Sequence, residues 1–238
     1  NHIPSNKRNG DVGEMRDLEL SNADKKRGLS YHKYLLDHFE ELIKGLPWTL
    51  EAVKKTYTGY DPEKKRFAFL HTDINGKAIN IKWHKGENGE KPISVKGHGE
   101  RRLYPLNLIK DYKADTPLII CEGEKDVITL LSVFDGYQPI TSTTGAESFP
   151  KDPSPLKQFK TIYILYDNDT AGNTGGNKPG EALKKQSPES KIIISRWKDK
   201  PEKWDITDHF SQDKDKLDLL DEFDEILTNG KEFITKKR

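Results

Sequence analysis

"IICEGEKDVITLL" runs from Ile119 to Leu131 and decides how the chain is read. Its first residues are an apolar run of strand length, and its last follow a helical pattern. Between them lie Glu122, Glu124, Lys125 and Asp126. A strand tipped with charge and followed by a helix is the unit of a parallel sheet with covered faces. The rhythm continues downstream. "TPLIICEGE" reads as a buried strand with "DVITLLSVF" as its helix, and "QPITST" as a second strand before a loop, "TTGAESF". "TIYILYDND" is a third strand, "GEALKKQ" a helix and "KIIIS" a fourth strand. A last helix is expected around Lys216 to Leu227. Leu219, Leu220, Phe223, Ile226 and Leu227 fall on one face, which should pack on the sheet, with the acids on the other.

Upstream the signals differ. Residues 1–28 are polar with little periodicity and are expected to form a flexible arm. From Ser30 to Lys44, Tyr31, Leu35, Phe39, Leu42 and Ile43 recur at helical spacing until Gly45 and Pro47 stop them. A short helix is expected from Leu50 to Thr56 with Thr49 as its cap. "RFAFLH" and "KAINIKW" then alternate around Asn75-Gly76, a strong hairpin signal. A second Asn-Gly, at 88–89, starts another reversal. The expected organisation is an arm (1–28), a basic α+β subdomain (29–113), an α/β domain (114–212) and an acidic helix and tail (213–238).

Composition sets outer limits. The 238 residues are one-third charged, with a mean hydropathy of −0.86 and a net charge of only +1. Charge is unevenly placed. Lys64 to Arg102 holds ten Lys or Arg against four acids, whereas Asp213 to Glu225 holds seven acids against two Lys. Cys121 is the single cysteine, which excludes an internal disulfide and a Cys-rich zinc ribbon. It lies on an apolar strand and reads as core rather than nucleophile. His71, His84, His98 and His209 are scattered without zinc spacing. No stretch is apolar enough to span a membrane. A cytoplasmic protein, or a fragment of a longer one, is expected.

Acids recur at strand ends, where open parallel sheets place their sites. Glu122 and Glu124 end one strand, Asp167 and Asp169 end another, and Asp205 and Asp208 follow the fourth. Each pair alone is an ordinary turn, and Asp205 or Asp208 alone is an ordinary helix cap. Three such tips on successive strands point instead to one pocket whose repulsion is relieved by cations. Oxygen-only ligands favour a hard ion, Mg²⁺ or Mn²⁺. Gly175-Gly176 with Lys178 and Gly180 could cradle phosphate, but reads more simply as a flexible loop.

"IICEGEKDVITLL", "IYILYDNDTAG" and "KWDITDHF" together resemble the three motifs of the toprim domain, shared by bacterial-type primases, topoisomerases and some nucleases. The resemblance covers residues 117 to about 210. It implies a parallel sheet flanked by helices, with Glu122, Asp167 and Asp169 as catalytic acids and Asp205 and Asp208 joining them as metal ligands. Glu122 matches the family's Glu as ligand or general base. Lys125 beside Asp126 is similar to the version in primases of phages, plasmids and other mobile elements. The basic segment before it resembles the subdomain that precedes toprim in primases. There Lys82, Lys96, Arg101 and Arg102, with Lys125, are implied to contact nucleotide or nucleic acid. Trp83 and Tyr104 read as partial core rather than base-stacking platforms. The implied activity is template-directed primer synthesis from nucleoside triphosphates on single-stranded DNA. A metal-dependent nuclease and a non-catalytic nucleic-acid adaptor are the alternatives. The sequence holds neither a Cys-rich zinc module nor a G-x-x-x-x-G-K-[ST] loop. The resemblance therefore implies a catalytic core that depends on a zinc or helicase module, or on a separate replicative helicase.

Overall fold

The computed structural model describes residues 19–86, 90–145, 149–150 and 152–234. The first 18 residues of the expected arm and the Asn88-Gly89 reversal lie outside them. Helix α1 (Asn22–Asp37), the single turn α2 (Phe39–Leu42) and α3 (Leu50–Lys55) come first. They cover a four-stranded antiparallel sheet of β1 (Thr58–Asp61), β2 (Arg66–Thr72), β3 (Ala78–Trp83) and β4 (Ile93–Ser94), in that order. Next come β5 (Leu103–Tyr104), β6 (Leu118–Cys121), α4 (Glu124–Val133), β7 (Gln138–Ser142) and β8 (Thr161–Ile164). Helices α5 (Thr170–Gly175) and α6 (Asn177–Gln186), β9 (Lys191–Ile194), α7 (Ile206–Phe210), α8 (Lys216–Thr228) and β10 (Lys231–Glu232) complete the chain.

Helix α1 begins inside the segment expected to be an arm. The Ser21 hydroxyl accepts from the Asp24 N–H and caps it. Its first turns are solvated except for Gly28, so they carry no apolar periodicity to reveal a helix. The Asn75-Gly76 turn forms as expected. Gly76 takes φ +84°, and the Asp73 carboxylate accepts from the Asn75 and Lys77 N–H groups. Thr49 caps α3 by accepting from Ala52 N–H.

The second sheet has the order β10-β9-β8-β6-β7-β5. Its inner pairs, β9-β8, β8-β6 and β6-β7, are parallel, whereas β5 and β10 add antiparallel edges that periodicity did not reveal. Alternate residues of β6 face opposite cores. Ile119 and Cys121 pack with α4, α7 and α8; Leu118 and Ile120 pack with Phe159 and Leu183 on the other side. Both faces are dry, which explains the unbroken apolar runs. The first core also takes in Leu35, Trp48, Val53, Phe69 and Tyr104, so the N-terminal elements share it. Gly175 and Gly176, expected in a loop, lie at the junction of α5 and α6, and Gly180, which opens the expected helix, lies within α6. Among the described residues no helix is long and apolar enough to cross a membrane.

Helix α8 buries Leu219, Phe223 and Leu227, and Phe223 packs on Tyr137, Trp197, His209 and Phe210. With Phe223 only 1% exposed, Phe223→Ala is expected to cost about 3–5 kcal/mol in urea denaturation. A loss well under about 1 kcal/mol would mean that α8 is not part of the core.

Candidate active site

Strands β6 and β8 are neighbours although β7 lies between them in sequence, so the order reverses at β6. A crevice opens at such a switch point, beyond the carboxyl ends of the strands. The Leu165 N–H donates to Ile120 O at 3.0 Å and locks the two ends in register. Two residues past that pairing, Glu122 Oε2 accepts from the Asp167 N–H at 3.2 Å. Two acids 45 residues apart thus meet.

Local geometry explains the D-x-D-x-x-G pattern. Asp169 caps α5, its Oδ1 accepting from the Gly172 N–H at 2.7 Å. Gly172 passes so close to the Asp167 carbonyl that a Cβ would lie 2.1 Å from its oxygen. Only glycine fits there. The side chain and backbone of Asn168 bond the 200–204 loop through Lys200 O, Pro201 O, Trp204 O and the Lys203 N–H. This bonding brings Asp205 alongside. Asp205 caps α7 in a reciprocal box with Asp208: Asp205 Oδ1 accepts from Asp208 N–H at 2.6 Å, and Asp208 Oδ2 from Asp205 N–H at 3.3 Å. Asp208 is exposed, and the box gives it a structural task beside the ligand role expected of it.

The electrostatics show how crowded the acids are. Burial raises the Asp167 carboxyl well above the carboxylate range, and Asp126, Glu122, Asp205 and Asp169 raise it further. Burial and then Asp205 raise Asp126. Burial raises Asp205; the Asp208 N–H opposes this, the Asp208 charge adds to it, and Lys125 and Lys85 oppose it. Positive charge is what such a group lacks. Among the described residues no three His, Cys, Asp or Glu side chains already surround one point, so holding an ion requires a carboxylate to turn.

Two participants escaped the sequence reading. Asp126, in the first turn of α4, lies near enough to Asp167 and Asp205 to exchange charge effects with them. Lys85 is exposed at the end of β3's hairpin and opposes Asp205. A cleft of about 480 Å³ joins the acids to the basic subdomain. Lys82, His84 and Lys85 line one wall, and Glu122, Glu124 and Asp167 the other. A larger cavity, about 830 Å³, lies against β10 and α8 and contains none of the strand-end acids.

The expected basic contacts fare differently. Lys125 is half-buried near Asp205. Lys96 and Arg101 are exposed and do not line the cleft. Arg102 is mostly buried and pairs with Glu100 at 2.8 Å. Lys82 reaches the cleft, but its ammonium donates to both Glu124 oxygens, at 2.8 and 2.9 Å, and to Thr143 O at 2.8 Å. An ammonium has three donors, so Lys82 is saturated by protein. It braces β3 against α4 and the end of β7. His71 Nε2 lies 3.2 Å from Glu124 Oε1, and burial lowers its pKa while Glu124 opposes that. Trp83 and Tyr104 are buried, with Trp83 Nε1 donating to Asp61 and the Tyr104 hydroxyl to Thr56 O. Cys121 is buried, and burial raises its thiol.

Burial alone would raise Glu124, but Lys82 and then His71 outweigh it and hold the carboxyl at about 2, below its ordinary 4.5. Its ionisation therefore stabilises the fold fully above pH 4.5, and that contribution is lost as pH falls towards 2. Lys82→Met leaves the charge buried and alone. It is expected to cost about 3–5 kcal/mol at neutral pH, with a deficit that shrinks in acid as Glu124 protonates. Urea denaturation across pH measures both. Unchanged stability together with weakened triphosphate binding would restore Lys82 to the phosphate role.

The toprim domain family matches residues 117–197. No curated protein sequence matches the chain. Solved structures do. The Aquifex aeolicus primase, comprising zinc-binding and RNA polymerase domains, is 17% identical with a TM-score of 0.64. The match covers 90% of this chain, which spans only 63% of that one. The Escherichia coli primase catalytic core is 15% identical with a TM-score of 0.65, covering 87% and 79%. A DnaG primase catalytic domain bound to single-stranded DNA is 17% identical with a TM-score of 0.64, covering 88% and 83%. Residues 117–197 thus match the toprim domain family within a fold similar to that of DnaG-type primase catalytic cores.

Proposed function

We propose that this chain is a primase-type nucleotidyltransferase that joins nucleotides on a single-stranded DNA template. The observation that carries the reading is that Glu122 accepts from the Asp167 N–H at the switch point, with Asp205 near enough for its charge to raise Asp167, beside a cleft with a basic wall. A hydroxyl of one nucleotide attacks the α-phosphorus of the next triphosphate. The new O–P bond forms as the bond to the β-phosphate oxygen breaks, and pyrophosphate leaves. Both reactants are anionic, so the chain must offset charge as well as align the groups.

The donor set fits a hard cation. It is all oxygen, and its members raise one another's affinity for positive charge. Asp167, Asp169 and Asp205 would hold Mg²⁺ or Mn²⁺, with Glu122 beside them. Bound there, such ions supply charge stabilisation for the attacking and leaving oxygens. The protein does the positioning. The Asp167 N–H fixes one Glu122 oxygen beside the cleft that Glu122 lines. The caps fix one oxygen each of Asp169 and Asp205. Lys85 and Lys125 are placed to meet phosphate oxygens, and such contacts weaken with salt. The template would run along the basic subdomain, where Lys96 and Arg101 are exposed. Single-stranded DNA bound by one of the similar catalytic domains supports that partner.

The test incubates the chain with single-stranded DNA, labelled ribonucleoside triphosphates and Mg²⁺ or Mn²⁺. Labelled oligonucleotides that need both triphosphate and cation are expected. Asp167→Ala is expected to reduce them on the order of 10²–10³-fold. Template shortening without nucleotide dependence would make the chain a nuclease instead. Product unaffected by Asp167→Ala would remove the acids from the reaction.

A further inference from the structure

A line of buried hydrogen bonds runs from the N-terminal helices to an acid of the site. Trp48 Nε1 donates to Thr129 Oγ1 at 3.0 Å. Thr129 and Thr207 hydroxyls are 3.1 Å apart. Thr207 Oγ1 donates to Asp126 Oδ1 at 2.9 Å, and the Thr207 N–H donates to the same oxygen at 3.1 Å. Every member is at least 96% buried, Trp48 being the most exposed at 4%. The acid end sets the direction of the line. Thr207 has one hydroxyl proton and gives it to Asp126 Oδ1, so the proton between the two threonines comes from Thr129, whose lone pair accepts from the Trp48 indole N–H.

The consequence is at the other oxygen. Both donors of Thr207 hold Oδ1, and Oδ2 lies on the side of Gly123, where a glycine Cβ would be 3.6 Å away. Gly123 sits between Glu122 and Glu124 at the cleft. Asp126 is thus held in one orientation by three elements: the Trp48 segment, α4 and α7. Nothing in packing alone demands this. Valine has the shape of threonine and would fill the same space at Thr129 and Thr207.

We propose that Trp48, Thr129 and Thr207 are positioning residues that turn Asp126 so that Oδ2 joins the cation-binding acids, coupling cation affinity to the docking of the N-terminal helices. The proposal rests on the cation site of the proposed function, but its test does not depend on primer synthesis. Mn²⁺ affinity of the 238-residue chain is measured by calorimetry and by electron paramagnetic resonance, alongside thermal unfolding in EDTA. Thr207→Val is expected to weaken Mn²⁺ binding about ten- to a hundredfold, as loss of an orienting partner does. Thr207→Ser, which keeps the hydroxyl, is expected to restore it. Trp48→Phe and Thr129→Val cut the line further back and are expected to weaken Mn²⁺ in the same direction, which keeps the test intact if Thr207→Val does not fold. Equal loss in the Val and Ser variants would overturn the proposal, as would unchanged Mn²⁺ affinity in variants with a lowered unfolding temperature, or no Mn²⁺ binding by the wild type. A wild type that binds Mn²⁺ and shows the Val–Ser difference yet makes no primers would leave the relay standing and defeat the polymerase reading. Primer synthesis indifferent to all these substitutions, with Mn²⁺ affinity unchanged, would do the reverse.

Discussion

Like charges held together at strand ends repel, and much of this chain is arranged to keep them there. The β6–β8 register brings Glu122 to the Asp167 amide. Asn168 ties the 200–204 loop to the β8 tip, and Gly172 lets α5 start against the Asp167 carbonyl. Caps at Asp169 and Asp205 set further carboxylates at helix starts, where backbone N–H groups favour negative charge. None of these restraints removes the repulsion. They hold together charges whose repulsion a cation would relieve.

The second constraint is between subdomains. Lys82 and Glu124 are a nearly dry ion pair, and each is costly to bury without the other. The Thr143 carbonyl completes the ammonium's bonding, so β3, α4 and the end of β7 meet at one point. The cleft's width is set there. With the shared apolar core behind it, the basic sheet and the acid-bearing sheet face each other across a fixed gap. Among the described lysines that line the cleft, Lys85 is exposed, whereas Lys82 gives its donors to Glu124 and Thr143.

Much of this was legible in the sequence. The apolar runs of β6, β8 and β9 are bare because both sheet faces are dry, and charged tips mark their ends. Asn75-Gly76 gave the hairpin, Thr49 the cap, and Leu219 with Phe223 the buried face of α8. What failed to show was whatever lacked a period. The solvated start of α1, the two-residue strands β5 and β10, and β1 with its glycine are each fixed by neighbours rather than by their own pattern.

Residue type and spacing along the chain determined that acids would sit just past successive parallel strands, because strand polarity and the apolar period are local properties. Which acids meet, and which cations remain available, depended on strand order and side-chain reach across elements far apart in sequence. Lys82 illustrates the difference. As a lysine on a basic hairpin it reads as a phosphate contact, yet a carboxylate 42 residues away takes up its charge. Asp126 illustrates the converse, an acid indistinguishable from a helix-start residue until α7 and Trp48 close over it and choose which of its oxygens stays uncommitted.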